Sequence, residues 1–136
     1  KNEPLKKGLD VFAKMRAEFD LVSRLCHPNI IKYYSVHLNA KNNVQLFMEH
    51  SGAAPLSRHS QNGPISDIYM LRMYSRQILE GLRYLHSKRI CHLDIKPDNI
   101  MMNWQGVLKI VDFGSAVRVD SDDLSLNWQD LQGTPA

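Results

Sequence analysis

His92-Leu93-Asp94-Ile95-Lys96-Pro97-Asp98-Asn99, with Asp112-Phe113-Gly114 further along, places several kinds of polar chemistry in two short runs. Asp94 offers a carboxylate, Lys96 an ammonium two residues later, and Asn99 a carboxamide three residues beyond that. Such a set is suited to orienting a hydroxyl, neutralising a phosphate and binding a cation. Asp112 adds a second carboxylate and opens a turn that Gly114 makes accessible. Hard oxygen donors of this kind suit magnesium better than zinc. Together they are the parts of a phosphoryl-transfer site.

The surrounding composition sets limits. Of 136 residues, 43% are hydrophobic, which is enough apolar material for a globular core. The formal net charge is only +3 and the basic residues are scattered, so nothing favours nucleic-acid binding. Cys26 and Cys91 are too few for a disulfide framework. Each precedes a histidine, yet neither pair has the C-x-x-C spacing of a zinc site. Reduced thiols point to a cytoplasmic protein, a nuclear location also being compatible. No apolar run approaches the length of a membrane helix, and Lys1-Asn2-Glu3-Pro4 has no signal-peptide character, so a soluble intracellular chain is expected.

Phe12, Met15, Phe19, Val22 and Cys26 recur at spacings of three and four, which predicts an amphipathic helix over 10–25, stopped by Pro28. The β-branched and aromatic runs 30–37 and 44–49 predict two strands, with Val44, Leu46 and Met48 alternating against Gln45, Phe47 and Glu49. The Asn-rich link between them makes the pair a hairpin. Residues 52–63 have the composition of a connector with at most a short helix. Ser66 is the expected cap of a long helix over 67–86, with Leu71, Tyr74, Ile78, Leu82 and Leu85 on its apolar face and its Met and aromatic residues in the core. Ile100-Met101-Met102 and 107–111 flank the turn Asn103-Trp104-Gln105-Gly106, a second hairpin. Beyond Gly114 the chain becomes polar and acidic.

The order and spacing of the opening residues resemble the eukaryotic protein kinase signature, in which H-R-D-x-x-x-x-N precedes D-F-G, with Leu93 where most members carry Arg. The resemblance implies an α+β, bilobal protein-kinase-like fold, partial in extent. Residues 1–48 would be part of the small lobe with its helix and a β-hairpin, 49–63 the hinge and connector, and 64–136 the first half of the helical large lobe. Both ends are expected to be incomplete, without a glycine-rich loop and without A-P-E, and such a fragment is expected to be unstable and inactive on its own. Cys26 and Cys91 would fall at buried apolar positions.

The resemblance also assigns roles. Asp94 accepts or orients the proton of a substrate hydroxyl, Lys96 sits beside the γ-phosphate, and Asn99 and Asp112 hold Mg2+ bridging the phosphates of ATP. Glu18, ahead of His27-Pro28-Asn29-Ile30, is the small-lobe glutamate that pairs with a strand lysine, for which Lys1 is a candidate. Met48 is the gatekeeper, Glu49-His50-Ser51-Gly52 the hinge whose backbone at Glu49 and Ser51 meets adenine, and Met101 the side chain beneath the base. His92 and Phe113 would stack in an apolar column with Val22 and Tyr33.

Lys96 and Gly133-Thr134 mark the serine/threonine branch, so the implied partners are ATP and a protein substrate with Ser or Thr. The run Tyr74–His86 and the motif His27-Pro28-Asn29-Ile30 look like the MEKK group of mitogen-activated protein kinase kinase kinases. Lys96-Pro97-Asp98-Asn99 departs from the Lys-Gly-x-Asn common there. A pseudokinase or scaffold is the rival class, opposed by the intact Asp94, Lys96, Asn99 and Asp112. A small-molecule phosphotransferase is a third, opposed by the peptide-binding context of Thr134. Leu93 lacks the donors with which Arg would clamp a phosphorylated activation segment, so activation is expected to depend weakly on such phosphorylation.

Overall fold

The chain starts in one structural unit, passes through a second for a short segment, and returns. In the computed structural model, which describes residues 3–41, 43–50, 54–60 and 66–119, one unit is built from Lys1–Cys26 and Lys32–Glu49 and the other from His27–Ile31 and His50–Ala136.

The first unit opens with helix α1 (Glu3–Val22). It starts earlier than the apolar spacing predicts, because Pro4 fits a first helical turn and Leu5, Lys6 and Lys7 are good helix formers. It also ends earlier. Ser23 N makes an i−4 helical bond, to Phe19 O at 2.8 Å, whereas Leu25 N reaches Val22 O three residues back at 2.9 Å, so the backbone has left the α-helix before Pro28. Cys26 therefore lies beyond the helix and is exposed, which corrects the expectation that it completes the buried stripe. Val22 and Leu25 are the buried members.

Strands β1 (Tyr33–Leu38) and β2 (Val44–Met48) form the antiparallel hairpin. Asn39 Oδ1 closes its connector by accepting from Lys41 N and Asn43 N. The first strand starts at Tyr33 rather than residue 30, because Ile30 bridges to Ile110 in the other unit's ladder. The register shifts between Tyr33 and Ser35, leaving Tyr34 as the extra residue of a bulge. Val44 and Leu46 are half-buried against exposed Gln45 and Phe47, as the alternation requires, but Met48 lies beside the bulge and is 43% exposed.

In the second unit, β3 (Ala54–Pro55) and α2 (Leu56–Ser60) occupy part of the connector. Helix α3 (Ile68–Ser87) follows. Its cap is Asp67, not Ser66: Asp67 Oδ1 accepts from Tyr69 N at 2.8 Å, an interaction that contributes about 1 kcal/mol. Tyr74, Gly81 and Leu85 are buried, and Ile78 and Leu82 half-buried. Tyr69, Met70, Leu71 and Met73 are exposed, against the expectation of a core role for this helix's Met and aromatic residues. At 100° per residue Tyr69 and Met73 leave the line through Tyr74, Gly81 and Leu85, and Met70 belongs to the first turn.

Arg89, at φ 57°, turns the chain into β4 (Ile90–Cys91), which pairs with β7 (Val117–Arg118). Cys91 is half-buried. Between them β5 (Ile100–Met102) and β6 (Leu108–Ile110) form the second hairpin, with β3 on the far side of β5. Asn103 Oδ1 accepts from Gln105 N and Val107 N, and Gly106 takes φ 75°, a conformation glycine adopts without strain.

Residues His27–Ile31 are fastened to this second unit by a polar network. Asn29 Nδ2 donates to Leu108 O at 2.9 Å and to Gln77 Oε1 at 3.1 Å. Gln77 Oε1 also accepts from Leu108 N, and Gln77 Nε2 donates to Gly106 O. Ile110 N donates to Asn29 O, Ile31 N to Ile110 O, and Lys109 Nζ to Pro28 O. His27 stacks on Tyr84 with centroids 4.9 Å apart. Burial lowers the pKa of His27 from its ordinary value, the Glu80 carboxylate pulling the other way, so the stacked ring is favoured in its neutral form. Among the described residues no helix is long and apolar enough to cross a membrane.

Candidate active site

Between β4 and β5 the chain runs through an irregular loop, and between β6 and β7 through a second one. Each contains a non-glycine residue in the left-handed region: Leu93 at φ 64° and Asp112 at φ 62°. Such a conformation costs on the order of 1–3 kcal/mol and persists only where neighbouring contacts fix it. Those contacts are present. Asp94 N donates to His92 Nδ1 at 3.3 Å, which assigns the ring proton to Nε2, and Nε2 lies 3.0 Å from Val111 O. His92 thus links the two loops, and its ring meets Phe113 edge-on at 4.9 Å. Both rings are buried, so this is structural cross-linking, as the sequence implied for His92 and Phe113.

The polar residues converge on one oxygen. Lys96 Nζ lies 2.9 Å from Asp94 Oδ2, and Asn99 Nδ2 donates to that oxygen and to the Asp94 main-chain carbonyl, each at 2.9 Å. Two donors on Oδ2 hold the carboxylate plane, and the pair is only partly exposed, at 31% for Lys96 and 13% for Asp94. Asn99 sits on the single 3-10 turn Pro97–Asn99, where Asn99 N donates to Lys96 O and its own carbonyl accepts from Val111 N. Nδ2 makes both of these side-chain bonds, so Asn99 Oδ1 is the atom that a cation would use. Asp112 is exposed, and its Oδ1 accepts from Gly114 N at 3.3 Å in an Asx turn; the left-handed residue there is Asp112 itself and not Gly114, which corrects the expectation that the glycine makes the turn accessible.

Other residues expected at the site lie in different parts of the chain. Met101 sits in the middle of β5, opposite Pro55 and Lys109. In the first unit, Glu18 on α1 accepts a hydrogen bond from Tyr33 Oη at 2.6 Å. Glu49 N donates to Lys32 O at 2.7 Å, and Glu49 Oε2 accepts from Lys32 N at 3.3 Å. Val22 and Tyr33 are both buried. Ser51, Lys1, Ser121, Ser125 and Thr134 lie outside the described residues.

The family model for the protein kinase domain matches residues 1–136. The chain belongs to the protein kinase domain family. This kinase chain is 39% identical over 126 residues to the MAP kinase kinase kinase wis4 of Schizosaccharomyces pombe, covering 87% of the chain and 9% of that protein. It is 37% identical over 116 residues to the MAP kinase kinase kinase SSK2 of Saccharomyces cerevisiae, covering 85% and 7% respectively. It is 43% identical over 109 residues to the mitogen-activated protein kinase kinase kinase nsy-1 of Caenorhabditis elegans, covering 75% and 7%. The chain thus spans under a tenth of the length of these relatives. The resemblance to mitogen-activated protein kinase kinase kinases drawn from the sequence is borne out, as is the partial kinase fold.

The donor set of the kinase loops fits a hard divalent cation carried by a phosphate ligand. One carboxamide oxygen and one carboxylate are too few for an all-protein cage, and among the described residues no three His, Cys, Asp or Glu side chains cluster to form one. A cation taking its remaining oxygens from phosphate and water needs no more than this.

Three contacts were not foreseen from sequence. One is the Tyr33 hydroxyl on Glu18. Another is Ser57 Oγ, which donates to Asp98 Oδ1 at 2.7 Å and ties α2 to the loop bearing Asp94. The third is Gln77, whose sequence signal was available: it falls in the same helical stripe as Tyr74, Gly81 and Leu85, so a polar residue there must find partners.

Proposed function

We propose that the protein containing this chain is a serine/threonine protein kinase that transfers the γ-phosphate of Mg-ATP to protein hydroxyls within a mitogen-activated protein kinase cascade. The carrying observation is the Asp94–Lys96–Asn99 constellation on one carboxylate oxygen. The kinase-cascade placement draws support from the printed names of the relatives, and the serine/threonine preference from Lys96 and Thr134. A cytoplasmic location, or a nuclear one, is supported only by the thiol content of the sequence.

In this reading Asp94 accepts a hydrogen bond from the substrate hydroxyl and takes its proton as the oxygen attacks. Lys96 pairs with this carboxylate at 2.9 Å and supplies positive charge where phosphate oxygens arrive. Asn99 positions Asp94 through Nδ2 and offers Oδ1 to the cation, while Asp112 offers its carboxylate. Mg-ATP, when bound, supplies the phosphoryl group and the charge neutralisation that makes its transfer accessible. The kinase resemblance assigns contact with the base to Met48, Glu49, Ser51 and Met101, and pairing with the nucleotide-binding lysine to Glu18.

The direct test is a phosphoryl-transfer assay on the full-length protein with serine- and tyrosine-containing peptides, beside an Asp112→Ala control. Transfer to serine that disappears in the control is the expected result; transfer to tyrosine alone, or none, defeats the reading.

Leu93 makes a separate prediction about control. A leucine at φ 64° brings no donor toward a phosphate, so loop ordering by phosphorylation has no partner at this position. Full-length protein with Ser115, Ser121 and Ser125 all changed to Ala is expected to retain at least roughly half of wild-type activity. A loss of about tenfold or more contradicts the prediction.

A further inference from the structure

Tyr33 is the first residue of β1, pairs with Met48 across the hairpin, and is only 3% exposed. Its hydroxyl lies 2.6 Å from Glu18 Oε1, inside the range of O–H bonds to an ionised acceptor. Glu18 precedes Val22 by four residues, so the two share a helical face, and Val22 is buried where α1 meets the hairpin. The glutamate thus stands at the margin of the seam by which α1 packs on β1 and β2.

We propose that Tyr33 is a positioning residue that holds the Glu18 carboxylate ready for the nucleotide-binding lysine. The inference rests on the kinase reading above. A glutamate on a helix surface samples several rotamers, and pairing with an ammonium then bears the full entropy of fixing them. A phenol anchored at a strand start has few rotamers of its own, so its bond to Oε1 fixes the orientation of the carboxylate. The bond does not compete with that role. A carboxylate accepts on two oxygens with about four lone-pair directions, and one hydroxyl occupies one of them. The bond thereby couples α1 to the sheet on which it packs.

The test uses the full-length protein. Tyr33→Phe keeps the ring and its packing and removes only the hydroxyl. Its kcat/KM for ATP is expected to fall by about 5- to 10-fold, while KM for the peptide substrate stays within about twofold. The decisive arm is the cycle with Glu18→Ala. If Tyr33 acts through Glu18, Tyr33→Phe has no further kinetic effect once Glu18 is Ala; a merely structural tyrosine lowers activity equally in both backgrounds.

Equal losses in both backgrounds overturn the proposal. So does a Tyr33→Phe protein within about twofold of wild type, or one more active than wild type, which would make the bond a restraint instead. Mg-ATP affinity, normalised to folded protein, is measured in parallel. Wild type that binds Mg-ATP but transfers nothing defeats the kinase reading, and the change in that affinity between wild type and Tyr33→Phe then decides the positioning role by itself.

Discussion

Changing Asp94 to Asn in the full-length protein is expected to lower kcat by about 100- to 10,000-fold while leaving KM for ATP within a few-fold of wild type. The substitution is nearly isosteric. An amide oxygen at the place of Oδ2 still accepts from Asn99 Nδ2, which now spans 2.9 Å, so the local bond that fixes the loop survives. Proton acceptance and the charge paired with Lys96 Nζ at 2.9 Å are lost. Lys96 is about one-third exposed, so water takes up much of its uncompensated charge and the fold tolerates the change. A kcat within tenfold of wild type would remove Asp94 from the chemistry. A collapse in ATP affinity with kcat preserved would reassign it to nucleotide binding.

The second large effect concerns folding. Gly81 lies on the face of α3 that meets β6 and Asn29. A Cβ there would meet Ile110 Cδ1 at 2.9 Å and Asn29 O at 3.3 Å. Ile110 is buried and paired with Ile100 in β5, and Asn29 O already accepts from Ile110 N, so neither retreats easily. Gly81→Ala gains about 1 kcal/mol of helix propensity, which offsets much of the tight contact. Gly81→Val loses part of that gain and drives further methyl groups into the same space, with an expected destabilisation of about 2–3 kcal/mol. The ordering is the check: the denaturant midpoint of the kinase transition in the full-length protein should fall well below that of the Ala variant, with an unchanged m value. Equal midpoints for Ala and Val would mean that the site has room to spare.

Much of this arrangement was readable in the residues. Tyr74 and Leu85 at helical spacing placed the core face of α3, and the Asn-rich link and Asn103–Gly106 placed two turns, because side-chain period and turn chemistry are local properties. The Asp94–Lys96–Asn99 cluster was equally legible, since its members lie within six consecutive positions. Most of what failed was not local. Cys26 has the spacing of a buried residue, but a helix that ends at Val22 no longer applies that spacing to it. Ile30 has strand propensity, yet its ladder partner is Ile110, far along the chain. Asp67 and Ser66 are both good caps, and only backbone geometry chooses between them. Tyr33 and Glu18 carry no sign in sequence of meeting each other, because a bond between a helix and a strand depends on how the two pack.

The passage of His27–Ile31 through the second unit also imposes a schedule on synthesis. Pro28 and its partner Lys109 are separated by 81 positions, and Asn29 likewise waits for Leu108 and Ile110. At ordinary elongation rates of 5–20 residues per second, that interval is about 4–16 s. The hairpin of β1 and β2 forms in microseconds once both strands have emerged, so it can be in place long before the segment preceding it finds its final contacts. During the interval Ile30, Ile31 and the Asn29 amide are exposed on a nascent chain, an apolar and hydrogen-bonding surface available to a chaperone.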